Sequence, residues 1–283
     1  WRCSAHPLAP NTCPINQYYW NLLERWRQAF SGDVILYEYY MGMSYYRSMP
    51  FPVAKLITRE WPRLHDLGVQ GATIQSTGES HEMYGLNYYS FARIAWDPSL
   101  TFDFILTRYL EGMYDGAASF IQPIWGRLIA NLEGIETFGR AVKIRDTNRP
   151  QCYSPCPEEF MNLCGPQELK FFRECIARAR AQSDEPGVHR QLERLVAVFD
   201  YVEKMNAAMN TLYEAEQSWK GGDLEKASTL YSDLIKMGEE MLEFEKRFEG
   251  EGFFGLSNDF DRWKSINRMV MERIKQAEKG ATT

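Results

Sequence analysis

Residues 31–41 read Ser31-Gly32-Asp33-Val34-Ile35-Leu36-Tyr37-Glu38-Tyr39-Tyr40-Met41, and this stretch sets the fold class. The turn pair Ser31-Gly32 leads into Asp33 to Tyr40, a run rich in β-branched and aromatic side chains, which is the composition of a strand. Before it, Ile15, Tyr19, Leu22, Leu23, Trp26 and Phe30 recur at helical spacing after Pro14, a residue suited to a first helical position. After it, Pro52 opens a second helix with Val53, Leu56, Ile57, Trp61 and Leu64 on one face. Gly68 is placed to cap that helix. A second strand follows at 69–75. A third helix, from about Leu86 to Trp96, stops at Asp97-Pro98, because the residue before a proline avoids helical dihedrals.

Two apolar strands, each followed by a helix and set roughly 36 residues apart, have the rhythm of parallel βαβ units. The stub Trp1 to His6 reads as the end of one more strand. Three such units neither close a barrel nor complete an open doubly wound sheet, and periodicity leaves both architectures open. The remaining strands are therefore expected upstream of Trp1. From Ser99 onward strand signals vanish. Phe102, Ile105, Leu106, Tyr109 and Met113 form one helical stripe, and Ala117, Phe120, Ile121, Ile124, Leu128 and Leu132 the next. A Pro- and Cys-rich loop at about 149–166 interrupts the series. Beyond it, Leu192 to Leu212 and Leu224 to Phe248 predict an antiparallel helical hairpin turning at Gly221-Gly222, and Ser257 caps a last helix through Ile274. The expected division is an α/β portion over 1–97 and a helical portion over 98–283.

The totals exclude several function classes. The chain has 283 residues, 32 Lys plus Arg against 38 Asp plus Glu, and a net charge of -6. Binding nucleic acid requires a basic surface to neutralise phosphates, and no Lys/Arg cluster supplies one, so no nucleic-acid partner is expected. No apolar run approaches the length of a transmembrane helix. Trp1 in place of Met marks either a processed chain or a segment of something longer. Six cysteines, Cys3, Cys13, Cys152, Cys156, Cys164 and Cys175, lack the paired spacing and neighbouring His of a zinc site, so no metal is expected; disulfides and buried thiols both remain open. Dinucleotide, phosphate-loop, zincin and serine-hydrolase motifs are all missing, and no cofactor is expected.

In parallel α/β folds chemistry gathers at the C-terminal ends of strands. Three places qualify here: Cys3 to His6, Tyr37 to Tyr40 with the loop to Phe51, and Gln75 with the loop carrying Glu79, His81 and Glu82. Glu38 is the leading candidate. A carboxylate between tyrosines can serve as a general acid or base, or accept hydrogen bonds from sugar hydroxyls. The competing reading is an acid held in a structural hydrogen-bond network. Strand alternation places Glu38 and Tyr40 on one face and Tyr37 and Tyr39 on the other. Glu79 and Glu82 read more simply as solvated loop acids, His6 before Pro7 as a structural side chain, and His65 and His189 as surface residues.

Seven segments in order carry a family resemblance: Ala5-His6-Pro7-Leu8, Cys13-Pro14-Ile15-Asn16, Tyr37 to Gly42, Gly68 to Gly71, Tyr84 to Tyr89, Ala95 to Leu100, and Tyr114 to Ala118. Together they resemble the bacterial domain-of-unknown-function family 4838 over roughly Trp1 to Ile135. That resemblance implies the C-terminal βα units of a (β/α)8 (TIM) barrel followed by a helical domain, related to hexosaminidase-like and α-glucuronidase-like barrels. It further implies a glycoside hydrolase acting on glycans, N-acetylglucosamine-containing ones among them, in a secreted, periplasmic or cell-surface setting. The alternative is a carbohydrate-binding or scaffold protein without the chemistry. Glu38 would be catalytic, and His6, Tyr37, Tyr39, Tyr40, Gln75, Glu79 and His81 would contact substrate. The main carboxylate pair would lie upstream of Trp1, leaving the isolated chain inactive.

Overall fold

The computed structural model describes residues 13–41, 50–76, 81–134 and 163–248, with scattered positions between 268 and 279. Helix α1 (Pro14–Ala29) precedes strand β1 (Val34–Met41), helix α2 (Ala54–Asp66), strand β2 (Val69–Ser76) and helix α3 (His81–Trp96). The two strands pair in parallel, with Tyr37 opposite Thr73 and Glu38 opposite Ile74. The ladder is irregular at both ends, between Val34 and Ile35 and between Glu38 and Met41.

One face of this sheet is covered. Helices α2 and α3 pack on each other, α3 touches β1 and α2 touches β2. The Tyr40 ring lies 6.3 Å from Phe91 of α3, and Trp61 of α2 stacks on the same Phe91 at 5.4 Å. The opposite face is open: Ile35 is 65% and Tyr37 56% exposed. At the start of the strands, Arg27 of α1 donates from Nε to the Leu67 carbonyl at 3.3 Å and from Nη1 to the Gly32 carbonyl at 3.0 Å. One guanidinium therefore holds both turns that feed the sheet. Gly68 sits at φ 86, a left-handed conformation that side-chain-bearing residues rarely adopt, and a Cβ there would also meet Arg27 at 2.9 Å.

The barrel expectation is overturned. The described residues contain one sheet of two parallel strands, and their other regular elements are helical; the series of eight βα units of a (β/α)8 barrel is not seen. The physical reason lies in β1. The sequence makes it one of several parallel strands, each followed by a helix, whose remaining neighbours are expected upstream of Trp1. In the structure only alternate residues are buried, and the helices cover one face.

After Trp96 the described chain is helical. Helix α4 (Phe102–Tyr114) is capped by the Thr101 hydroxyl, which accepts from the Phe104 N–H at 3.3 Å. A 3-10 turn (Asp115–Ala117) leads to α5 (Ala118–Glu133), then α6 (Pro166–Arg180), α7 (Pro186–Lys220) and α8 (Leu224–Lys246). Helix α6 has no counterpart in the sequence-based reading, which passed from the proline-rich loop directly to Leu192. The anticipated hairpin of α7 and α8 is present, with Asp223 capping α8 through the Lys226 N–H. Most of the helix expected from Ser257 lies outside the described residues.

Helices α5 and α6 are joined by two reciprocal cation–ring contacts. Arg127 of α5 lies 5.5 Å from the Phe171 ring of α6, and Arg178 of α6 lies 5.4 Å from the Phe120 ring of α5. Arg173 bridges α6 to α7 through Asp200 and Glu203, each at 2.8 Å. A single apolar cluster, including Trp20, Ile57, Tyr84, Leu110, Phe172, Phe199 and Phe244, runs from the strand-bearing residues into the hairpin. No helix is long and apolar enough to cross a membrane among the described residues.

Candidate functional site at the ends of the strands

β1 brings two kinds of side chain to its C-terminal half. Tyr37 projects from the open face. Glu38 is only 7% exposed and Tyr40 4%. The sequence had left open which alternating pair faces outward, and the buried pair proves to be Glu38 with Tyr40.

Behind that face lies a polar assembly that the sequence reading did not identify. The Tyr40 hydroxyl donates to Glu60 Oε1 on α2 at 2.9 Å, and Glu60 is completely buried. Asn87 on α3 donates from Nδ2 to the carbonyls of Tyr40 and Phe51, both at 2.8 Å. One amide thus binds the end of β1 to the entry of α2. A buried carbonyl without a partner is costly, and the Tyr40 carbonyl lies where the ladder becomes irregular. The Asn87 Oδ1, Ser90 Oγ and Trp61 Nε1 atoms are buried in the same packing layer without hydrogen-bond partners.

A sequence signal for this assembly did exist. Ile57, Glu60, Trp61 and Leu64 share helical spacing, so Glu60 is an acid placed within an apolar stripe. Asn87, Ser90 and Ile94 repeat the pattern on α3, and all three are fully buried. Polar residues embedded in a buried stripe usually satisfy backbone or one another, which is the role seen for Glu60 and Asn87.

The other proposed site residues are placed as follows. His6 and Glu79 lie outside the described residues. Tyr39 and Gln75 stand on β1 and β2, and His81 and Glu82 in the first turn of α3, positions described for the backbone only. His65 is exposed beside Asp66. His189 is half-buried against the Ser183 carbonyl. Among the described residues no group of three His, Cys, Asp or Glu side chains is arranged to hold a metal ion. Cys164 and Cys175 are free thiols; burial, reinforced by Glu168, keeps Cys164 protonated far above the ordinary thiol range.

Chemically, the arrangement offers an exposed phenol ring on a strand, with the buried Glu60 carboxylate behind it accepting a hydrogen bond from Tyr40. Residues 3–125 match the family described as domain of unknown function (DUF4838). The match covers the first part of the chain, including this sheet. No curated protein and no solved structure matches the chain.

Proposed function

We propose that the protein acts on glycans, with the open face of β1 as the surface that meets the sugar. The observation that carries this reading is Tyr37, whose ring is 56% exposed on a strand anchored at both ends by Arg27 and Asn87. A flat ring with a polar tip can stack on the apolar face of a pyranose while its hydroxyl bonds a sugar hydroxyl. Ile35, two residues earlier on the same face, extends the apolar platform. Hydrolysis would fall to Glu38, which lies on the covered side of the same strand and would have to be reached at the strand's end; glycans containing N-acetylglucosamine are the proposed substrate class and a location outside the cytoplasm the proposed setting. Retraction of Glu38 from the surface favours the second reading, a module that binds glycans without cleaving them.

Calorimetric titration with soluble β-linked N-acetylglucosamine oligomers tests both readings. Tyr37→Ala is expected to weaken binding about tenfold, which corresponds to ~1.4 kcal/mol. Absence of binding to these oligomers by the unaltered chain would remove this glycan reading. Release of reducing ends that disappears in Glu38→Gln supports hydrolysis; tight binding without release, unchanged in Glu38→Gln, supports the binding module.

A further inference from the structure

Gly71 is the third residue of β2 and stands opposite Ile35 in the ladder. A glycine inside a strand weakens it, because it frees the unfolded backbone and offers no side chain to pack. Strand glycines answer to one of three demands: a left-handed backbone, a crowded neighbour, or the close approach of another molecule. The first two are absent here. The backbone of Gly71 lies outside the left-handed region that Gly68 and Gly222 occupy. A Cβ at position 71 would meet no atom within 4 Å among the described residues. The irregularity of the ladder does not require a glycine either. Val34 pairs with Val69 and Ile35 with Gly71, so the extra residue is Gln70, and Gly71 is an ordinary partner.

The gap lies on the open face. Residues paired across the ladder point to the same side, so Ile35 with Gly71 and Tyr37 with Thr73 are two successive rungs of that face. Ile35, Tyr37 and Thr73 are all exposed. Such rungs stand about 6.6 Å apart, and the two strands about 4.8 Å. A ring, a hydroxyl and a patch of bare backbone therefore lie within about 8 Å of one another along the diagonal. A protein contact gathers around an apolar centre, and a valine or isoleucine at 71 would have enlarged one beside Ile35. Glycine instead keeps the surface flat next to a hydroxyl, which suits a ligand carrying both an apolar face and polar groups.

We infer that Gly71 is the cleared floor of the glycan surface. The sugar unit next to the one stacked on Tyr37 lies flat over Gly71, with Ile35 as its wall and the Thr73 hydroxyl as its hydrogen-bond partner. This inference rests on the glycan reading above and adds the residues that select among chains. A chain that lies flat is admitted, and one substituted on the side facing the sheet is refused.

The test uses the full chain and the same soluble β-linked N-acetylglucosamine oligomers. Gly71→Val supplies a β-branched side chain that strands favour. Its urea midpoint should equal or exceed that of the unaltered chain, while its affinity for the oligomers falls at least about tenfold. Gly71→Ala should lose less, and Thr73→Val, which keeps the shape and removes the hydroxyl, about threefold. Full affinity in Gly71→Val alongside a weakened Tyr37→Ala would overturn the floor and leave the glycan reading standing. A lowered urea midpoint in Gly71→Val would show that the gap serves the fold, and would overturn the proposal as well. Failure of the unaltered chain to bind would remove the glycan reading and the floor with it. A dimer in sedimentation that Gly71→Val dissociates would give this face to a second copy of the chain, again against the proposal.

Discussion

In residues 13–96 the contacts that fix one element against another include a set of long-range polar bonds: Arg27 to the turns before both strands, Asn87 to the carbonyls of Tyr40 and Phe51, and Tyr40 to Glu60. In residues 102–246 the joints are largely apolar or built on rings. Phe172 packs 4.9 Å from Phe199, Tyr201 faces Phe244, and two arginines cover phenylalanines. One exception in the second region is the pairing of Arg173 with Asp200 and Glu203, and two more share a pattern. Asn131 donates to the Leu163 carbonyl at 3.1 Å, and Asn206 to the Cys164 carbonyl at 2.7 Å, just ahead of α6. Asparagine recurs where backbone near the end of an element is covered by packing, and a helix interior needs no such help because its carbonyls are already bonded.

The largest expected effect tests that contrast directly. Asn87→Ala removes both amide donations at once; the Phe51 carbonyl keeps the Val53 N–H at 3.0 Å, while the buried Tyr40 carbonyl loses its bond to the amide, so urea unfolding should show a loss of ~1–3 kcal/mol. A loss well under 1 kcal/mol would mean that packing alone holds the strand end, and the distinction between the regions would collapse.

The second effect belongs to the helical side and depends on pH. Burial raises the Cys164 thiol above its unfolded value of 9.0. A group whose folded pKa is raised contributes stability below the unfolded pKa and loses it as pH rises toward the folded one. Above about pH 9 the unfolded chain ionises this thiol while the folded chain does not, and stability should fall by up to ~1.4 kcal/mol per pH unit. Cys164→Ala should flatten that alkaline limb by this amount, whatever its effect at neutral pH. Parallel limbs in the two proteins would show that the thiol ionises in place.

The smallest effect concerns the ring contacts. Arg178→Met and Arg127→Met keep the apolar stems and remove the charge, and each should cost ~0.5–1 kcal/mol by thermal or urea unfolding. Identical stability in both variants would assign the whole α5–α6 joint to its apolar seam.

The elements themselves were largely legible in the sequence. The expected strands at 33–40 and 69–75 are β1 and β2, and the stripe from Phe102 to Met113 is α4, because these depend on period and local turn chemistry. The barrel expectation was wrong, since two βα repeats fit several architectures and only exposure decides whether β1 is covered on one face or two. Helix α6 was missed because its first residue, Pro166, belonged to a run read as loop, although proline is also at home in a helix's first turn. For the candidate site, the face shared by Glu38 and Tyr40 followed from alternation, but the side it would turn to did not. Arg27 reaches a carbonyl 40 residues away and Asn87 one 47 residues away, and no local pattern announces partners at such separations.

The two arginine–phenylalanine contacts between α5 and α6 have a geometric consequence. On α5 the contacting residues are Phe120 and Arg127, and on α6 they are Phe171 and Arg178, so each pair is separated by two helical turns. Each helix contributes one ring and one cation, in crossed order. Sliding one helix by a single turn, about 5.4 Å, would break both contacts together. Leucine seams tolerate such slippage poorly but give no sharp penalty for one particular offset. The crossed pairs act as a vernier: they mark one alignment out of several that the apolar stripes would accept, and they do so without reference to the chain that joins the two helices.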